Sequence, residues 1–426
     1  MNSVPPASTN ASANSTMNLS TGGDLKALAS HYNSQGELKL GLSSTPLLKM
    51  IDGYERPFYL YDLKGLRARA KIYAQHTRSA KSFFAIKANA NREILKVLRE
   101  EGLGCDVVSG GELEVALNAG FKADEIVFSG VGKTLAEVKL AFQKGIHQIN
   151  AESVPELVRL QKVASSQPAG AQMRVALRYN PDVNVHTHKY ISTGLKENKF
   201  GMADEELSEA LALFQNGQLP NLTFVGLSMH LGSQILDVSS VRDGVKRLVQ
   251  KSVELRSQFS TVDIIDIGGG IGIDYRSDSY QAELTLLKIY EDILTTEIPS
   301  SFKAEAEPGR ILVARSGVLI SQVQYIKIRN DRTFVVLDAG MNHLMRPALY
   351  QAVHRVLPLQ KRSSSVRRYD IVGPICESTD VFARDFEMSE VVEGDFVALM
   401  DAGAYGRSMS SGYNQHHLPE EKFLAD

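Results

Sequence analysis

The sequence predicts an α/β protein, in which a (β/α)8, TIM-like barrel is followed by an antiparallel β-sandwich or β-barrel domain and preceded by a disordered N-terminal tail. Between Ser82 and Glu307, short runs rich in β-branched and aromatic residues alternate about eight times with amphipathic stretches, which indicates parallel β-α-β units. After Arg310, strand-like runs follow one another with little helical pattern between them, which favours an antiparallel sheet. A doubly wound open sheet remains the structural alternative, because periodicity alone does not show that a sheet closes.

These patterns divide the chain into four parts. Residues 1–24 are rich in Ser, Thr and Asn and are predicted to form a flexible tail, because they cannot bury enough apolar surface to offset their ordering entropy. Residues 25–62 form an N-terminal segment that contributes to the β domain through the strand FYLYD, residues 63–310 form the barrel, and residues 311–426 form the C-terminal β domain. The eight barrel strands are expected at 82–87, 105–109, 125–130, 147–150, 173–180, 223–231, 262–269 and 302–309.

The composition excludes several classes of function. The 426 residues include 47 basic and 49 acidic side chains, with a net charge of −2. Nucleic-acid surfaces and polybasic membrane patches both need concentrated Lys and Arg, so we expect neither partner. Two cysteines cannot form a disulfide framework or a cysteine-based zinc site. No apolar run approaches the roughly 18 residues of a membrane helix, and the tail has neither the apolar core of a secretory signal nor the arginines of a transit peptide. We therefore expect a cytoplasmic protein.

Polar residues stand where the predicted barrel strands end, which is where barrel enzymes place their chemistry. Lys87 follows the apolar run FFAI, and a partly desolvated lysine there is expected to have a lowered pKa, which favours a neutral amine nucleophile. A lysine that extends to the surface is the alternative. Residues 180–201 form a long polar insertion, and long loops in compact domains are more often functional than idle. The other strand-end positions are Asp106, Ser109, Arg178, Asn180, His230, Gly268 to Gly270 and Glu307.

The glycine run in DIGGGIGIDY offers backbone N–H groups that suit a phosphate. A tight turn between strand and helix explains the run equally well. It is not a dinucleotide fingerprint, because Ile273 occupies the place of the third glycine, and no Gly-Lys-Ser/Thr follows for a P-loop. The two cysteines and ten histidines show no recognisable metal spacing, so no metal is predicted.

Taken together and in this order, the motifs resemble the fold-type III pyridoxal-phosphate-dependent decarboxylases. The motifs are FFAIKAN, CDVVSGGEL, HLGSQ, GGGIGIDY, EPGR, CEST and DAGAYG. Within that family, ISTGLKENKFG (191–201), MNHLMRPALY (341–350) and CESTDVFARD (376–385) are most similar to the diaminopimelate decarboxylases. The resemblance runs from about His31 to Asn414 and implies a (β/α)8 barrel with a C-terminal β domain. It also implies pyridoxal 5'-phosphate as cofactor and conversion of meso-2,6-diaminopimelate to L-lysine and CO2, the last step of lysine biosynthesis.

The resemblance assigns cofactor-binding residues position by position. Lys87 would bind the cofactor aldehyde covalently as a Schiff base. His230 would stack on the pyridine ring, and Glu307 would pair with its nitrogen. The remaining cofactor-binding residues by this resemblance are Asp106, Ser233 and the backbone of Gly268, Gly269 and Gly270, with Tyr405 closing the phosphate site.

The resemblance also implies how the substrate is bound and that the active site is shared. Arg310, Arg346 and Tyr350, with Tyr405, would hold the distal end of the substrate, since planar guanidinium groups suit a carboxylate. The family takes a cysteine and a glutamate from a partner subunit, so an obligate homodimer is implied. At those positions this chain has Cys376, the expected proton donor to the α-carbon, and Glu377, which would meet the distal ammonium.

Alternatives within the same chemistry remain. A decarboxylase of ornithine, arginine or lysine is less attractive, because those substrates lack the distal carboxylate for which Arg310 and Arg346 are suited. A racemase typically has a basic residue in place of Glu307, and a non-enzymatic pyridoxal-phosphate carrier lacks the β domain. The chain departs from the family at Thr379, where Gly is usual, and in the ending YNQHHLPEE, which puts the C-terminal dimer contacts in doubt.

Overall fold

The computed structural model describes residues 29–183 and 199–424. Its centre is a closed barrel of eight parallel strands, in which each strand pairs with the next along the chain and the eighth pairs with the first. This confirms the predicted barrel and rules out the open sheet. The predicted flexible tail at 1–24 and most of the insertion, including most of the motif at 191–201, lie outside the described residues. The barrel strands are Ala80–Ala85, Gly104–Val107, Ile126–Phe128, Gln148–Ala151, Met173–Arg178, Leu222–Ser228, Ile264–Asp266 and Lys303–Ala306.

Several of the barrel helices begin where a side chain caps the first turn. Ser109 accepts a hydrogen bond from the backbone of Glu112, and Thr134 forms a capping box with Glu137, which satisfies N–H groups that have no partner within the helix. Gly145 ends the latter helix in the left-handed conformation that favours glycine. The helices are Leu63–His76, Arg92–Glu100, Gly110–Asn118, Leu135–Lys144, Val154–Ser165, Asp204–Gln215, Ser239–Arg256, Gln281–Thr296 and the short Arg310–Val313.

The second domain is a β sheet built around one long strand, Gly317–Arg329. That strand pairs antiparallel with Phe58–Asp62, Arg332–Leu337 and Phe396–Leu399. Two pairs in the domain are parallel, so the sheet is mostly rather than wholly antiparallel. The other strands and the one further α-helix are Val356–Pro358, Val366–Val372, Val381–Ser389, Glu420–Leu424 and the helix Arg346–Tyr350.

One continuous core of buried apolar side chains extends from the barrel into the β domain. It includes Tyr59 and Tyr61 from the early strand, which pack with residues that follow the barrel. A smaller apolar cluster lies within the β domain. The β domain is therefore packed beside the barrel, and its loops reach the barrel's C-terminal end. Within the described residues, no helix combines the length and apolar character needed to cross a bilayer.

Candidate active site

The candidate active site lies at the C-terminal end of the barrel, around Lys87. The first strand ends at Ala85, and Lys87 lies in the 3-10 turn Ile86–Ala88 that follows. The predicted strand 82–87 has the right length but begins and ends two residues too late. Lys87 lines two adjoining cavities, the larger of about 590 Å³. The smaller one brings together seven of the predicted site residues: Lys87, His230, Ser233, Gly270, Glu307, Arg310 and Tyr405.

Lys87 is held by a carboxylate from the neighbouring strand. Its Nζ lies 2.9 Å from Oδ2 of Asp106, which is fully buried. Burial by itself lowers the pKa of Lys87, but the electrostatic interaction with Asp106, followed by those with Tyr405 and Glu307, outweighs burial and raises this pKa above its ordinary value. The predicted lowering of the Lys87 pKa is therefore wrong, because the sequence pattern revealed the burial but not the partner.

The glycine run after the seventh strand approaches its neighbours too closely for any side chain. A Cβ on Gly269 would lie 2.0 Å from the carbonyl oxygen of Glu307, and Gly270 has a φ of +112°. The N–H of Gly268 donates to Asp266 over 2.9 Å, and that of Gly269 donates to Nδ1 of His230 over 3.2 Å. Of the three N–H groups predicted to bind phosphate, only that of Gly270 is left without such a partner in the described part of the chain.

Glu307 follows the eighth strand and is 6% exposed. Its Oε1 accepts hydrogen bonds from Ser129 over 3.3 Å and from Asn150 over 3.2 Å. Burial and the nearby carboxylates of Asp106 and Asp266 raise the pKa of Glu307 well above its ordinary value, so the side chain holds a proton. The prediction missed Ser129 and Asn150, although both are polar residues at the ends of predicted strands.

His230 follows the sixth strand and faces the same cavity. Since the N–H of Gly269 donates to Nδ1, a neutral ring carries its proton on Nε2. Burial, followed by the positive charges of Arg178 and Lys87, lowers the pKa of His230 well below its ordinary value. The ring is therefore neutral at physiological pH, as a group that stacks on another ring requires.

Arg310 is buried beside the cavity, between the barrel and the β domain. Its Nη1 donates to the hydroxyl of Tyr275 over 2.8 Å and its Nη2 to Ser233 over 3.0 Å. Its guanidinium also lies 4.8 Å from the ring of Tyr405. Tyr405 has a φ of +57°, and its N–H donates to the carbonyl of Ala88 over 2.8 Å, which fixes this loop of the β domain over the turn that carries Lys87. Such strain in a residue other than glycine is typical of functional sites.

The other predicted substrate residues do not line the cavities beside Lys87. Arg346 is 4% exposed and lies behind Tyr275, with its guanidinium 4.4 Å from that ring. Tyr350, half-buried, ends the helix that Arg346 begins. Cys376 and Glu377 are exposed on the β domain, where they bond to the Asn414 side chain and the Tyr413 hydroxyl respectively. One chain therefore does not bring these two residues to Lys87.

The residues around Lys87 fit pyridoxal 5'-phosphate. They supply an amine, a buried carboxyl, a neutral imidazole, and a cradle from which any Cβ is excluded. The buried polar atoms in this region that have no hydrogen-bond partner among the described residues include Oδ1 of Asp106, Oγ of Ser228 and Nε of Arg310. Within the same residues, no cluster of His, Cys, Asp and Glu could hold a metal ion.

Comparison with known proteins supports the same cofactor. Residues 63–314 match the family model described as the pyridoxal-dependent decarboxylase, pyridoxal binding domain. A diaminopimelate decarboxylase of Bacteroides thetaiotaomicron is 40% identical over 370 residues, which cover 86% of this chain and 95% of the relative. One of Aquifex aeolicus is 38% identical and covers 91% of each chain.

Solved structures agree with these sequence relatives. The diaminopimelate decarboxylase of Helicobacter pylori complexed with L-lysine has a TM-score of 0.79 at 36% identity, covering 89% of this chain and 94% of that one. The enzyme of M. jannaschii in complex with L-lysine has a TM-score of 0.84 at 31% identity, covering 93% of each. A lysine decarboxylase of Selenomonas ruminantium, at 22% identity, shows the fold alone. This chain belongs to the pyridoxal-dependent decarboxylases, and within them to the diaminopimelate decarboxylase family.

Proposed function

We propose that this enzyme decarboxylates meso-2,6-diaminopimelate to L-lysine and CO2 with pyridoxal 5'-phosphate as cofactor. The observation that carries the proposal is the convergence of Lys87, His230, Glu307 and Arg310 on one cavity in a chain about 40% identical to relatives of that name. Lysine is the product of this reaction, and relatives have been solved with L-lysine bound.

Each of the cavity residues has a role in holding the cofactor. When bound, pyridoxal phosphate supplies an electron sink for the charge left on the α-carbon as CO2 departs. Lys87 would hold the cofactor covalently, after its ammonium group has lost a proton. Asp106 would orient that nitrogen, the neutral ring of His230 would pack against the cofactor ring, and Gly270 would offer its N–H to the phosphate.

Glu307 would face the ring nitrogen. Its carboxyl holds a proton and is oriented by Ser129 and Asn150, so it can deliver that proton and remain as a paired carboxylate. The water-poor interior strengthens this pairing. A basic side chain at this position, as in a racemase, would leave the ring less electron-withdrawing.

The distal carboxylate distinguishes diaminopimelate from ornithine, arginine and lysine as substrates. Arg310 lines the cavity and Arg346 lies behind Tyr275, so two buried guanidinium groups lie beside the same tyrosine ring. A buried arginine without an anionic partner is unfavourable. A carboxylate bound between them would compensate that charge, whereas a substrate with only an amine at this end would not.

The acid that protonates the α-carbon would be Cys376 of a partner subunit, next to Glu377. The support for this is that both side chains are exposed on the β domain, away from the cavity of their own chain. A homodimer with shared sites makes a clear prediction: mixing inactive Lys87→Ala and Cys376→Ala proteins would restore about a quarter of wild-type activity, from random pairing of two kinds of subunit. No recovery, with dimers confirmed by analytical ultracentrifugation, would contradict a shared site.

Function can be tested by measuring CO2 release from diaminopimelate, ornithine, arginine and lysine, each with and without added pyridoxal phosphate. We expect turnover of diaminopimelate alone, dependent on the cofactor. Lys87→Ala should abolish both turnover and the visible absorbance of the bound cofactor. Lys81→Ala is the matched control, because Lys81 is exposed near the start of the same strand, where its amine donates to the carbonyl of Asp124 and lies over the ring of Phe83, away from the cavity. Faster release from ornithine would overturn the substrate assignment.

We also propose that the enzyme works in the cytoplasm. A cysteine acid must stay reduced, and both cysteines of this chain are free thiols, which suits a reducing compartment. Recovery of the native protein in a periplasmic or secreted fraction would contradict this.

A further inference from the structure

The guanidinium of Arg346 is held from one side by a histidine that the reaction does not otherwise use. Nη1 of Arg346 lies 2.7 Å from Nε2 of His354, and Nδ1 of His354 lies 2.7 Å from the carbonyl oxygen of Met400. An arginine can only donate, so Nε2 must accept and Nδ1 must carry the proton that bonds to Met400. These two contacts permit one state of His354, the neutral ring protonated on Nδ1.

The surroundings keep that arrangement rigid. His354 and Arg346 are 1% and 4% exposed. The ring of Tyr275 meets His354 edge-on, with centroids 5.1 Å apart, and the guanidinium of Arg346 lies 4.4 Å from the same ring. Burial, followed by the positive charge of Arg346, lowers the pKa of His354 well below its ordinary value, which agrees with the neutral ring that the hydrogen bonds require.

We propose that His354 is a positioning residue, which fixes Arg346 so that its guanidinium binds the distal carboxylate of the substrate. Because His354 is a neutral acceptor, it orients the guanidinium without cancelling its charge, whereas a carboxylate in its place would compete with the substrate. Met400, through its carbonyl, selects the tautomer. The inference rests on the proposed function, since it assigns His354 to the substrate contact of Arg346.

Two conservative substitutions separate positioning from packing. His354→Gln places an amide oxygen near the position of Nε2, so it can still accept from Arg346, but it leaves Met400 without a donor. His354→Asn places an amide nitrogen near Nδ1, so it still donates to Met400 but cannot reach Arg346. A purely structural role would make the Gln variant at least as damaging as the Asn variant, whereas the proposed role makes the Asn variant the worse.

The readout is binding to the cofactor-loaded enzyme, measured by calorimetry with two probes. L-Lysine retains the carboxylate that Arg346 would hold, and 1,5-diaminopentane has the same two amines without it. We expect His354→Asn to weaken L-lysine binding about tenfold or more and to raise the KM for diaminopimelate in parallel. His354→Gln should retain most of the affinity, and neither variant should alter diaminopentane binding. Equal losses in both variants, a larger loss in the Gln variant, or no loss in either would overturn the proposal.

Two further measurements complete the test. Arg346→Leu should lose L-lysine affinity at least as strongly as His354→Asn. If the wild-type enzyme does not turn over diaminopimelate, the proposed function fails. If it does, and Arg346→Leu weakens L-lysine binding while His354→Asn does not, only the inference about His354 fails. If the Asn variant does not fold, nitrogen NMR of wild type with labelled histidine tests the state of the His354 ring instead. We expect a neutral ring protonated on Nδ1 from about pH 6 to 8. An imidazolium or an Nε2–H tautomer would overturn the proposal.

Discussion

Replacement of Gly269 by alanine should damage the site through the backbone alone. The added Cβ would lie 2.0 Å from the carbonyl oxygen of Glu307 and 3.0 Å from its carbonyl carbon, whereas ordinary contacts begin near 3.4 Å. The two backbone segments must therefore separate by more than about 1 Å. Overpacking of this kind costs about 1–3 kcal/mol, or about 2–4 °C in melting temperature for each kcal/mol in a domain of this size. Since Glu307 would move with its backbone, kcat/KM should fall by about a hundredfold.

Gly111→Ala is the matched control for this substitution. Gly111 lies in the first turn of the helix Gly110–Asn118, and the nearest atom to an added Cβ is 3.8 Å away. Alanine there should be neutral or stabilise the helix by up to about 1 kcal/mol. The assays are thermal unfolding without cofactor, cofactor affinity by fluorescence quenching, and turnover of diaminopimelate. A Gly269→Ala protein with the melting temperature and cofactor affinity of wild type would refute the reasoning.

Two other predictions follow from the same region. Because burial and the charge of Glu305 raise the pKa of Asp266 to about 7, against about 3.9 for an unfolded chain, the folded protein holds a proton that the unfolded chain has lost. The contribution of Asp266 to the free energy of unfolding of the cofactor-free protein should therefore fall as pH rises from about 4 to 7, by up to about 1.4 kcal/mol per unit. Denaturant titrations of wild type and Asp266→Asn across this range measure it as the difference between the two proteins, and a difference that stays constant or rises with pH would contradict the prediction. Tyr275→Phe removes the hydroxyl that accepts from Arg310 while retaining the ring. It should raise the KM for diaminopimelate about tenfold or more with little change in the melting temperature, and an unchanged KM would show that this bond does not position the arginine.

The barrel could be predicted because its strands have a simple sequence pattern. Each has a short apolar body and a polar or glycine residue soon after it, since the loops emerge there. All eight were found at the right places, with ends that differ by a few residues. The β domain was predicted less completely. The strands Val356–Pro358, Val381–Ser389 and Glu420–Leu424 and the helix Arg346–Tyr350 were not predicted. The adjacent charged residues Arg384 and Asp385 interrupt the strand pattern of Val381–Ser389, and the helix is a single turn that contains a proline.

The sequence predicted the site residues that stand in recognisable motifs, but not those that act through a contact with another side chain. Lys87, His230 and Glu307 stand in motifs and meet in one cavity. Tyr275 and His354 act on the two arginines through contacts between segments far apart in sequence, Tyr275 from the barrel and His354 from the β domain. No spacing along the chain indicates such a contact, because it depends on how the two domains pack.

The sign of the Lys87 pKa shift shows which information the sequence pattern lacked. Burial disfavours a charged lysine, and a strand-end position indicates burial. The register of the first two strands, however, pairs Ala85 with Asp106, which brings a fully buried carboxylate within 2.9 Å of the amine. This contact raises the pKa of Lys87 and so favours the charged amine. Among the described residues, Glu307 forms no ion pair with a cation, and burial together with the carboxylates of Asp106 and Asp266 raises its pKa in the same cavity. The strand register thus decides which carboxylate lies beside the Lys87 amine, and so the direction of its pKa shift. That register is known only once the barrel is assembled.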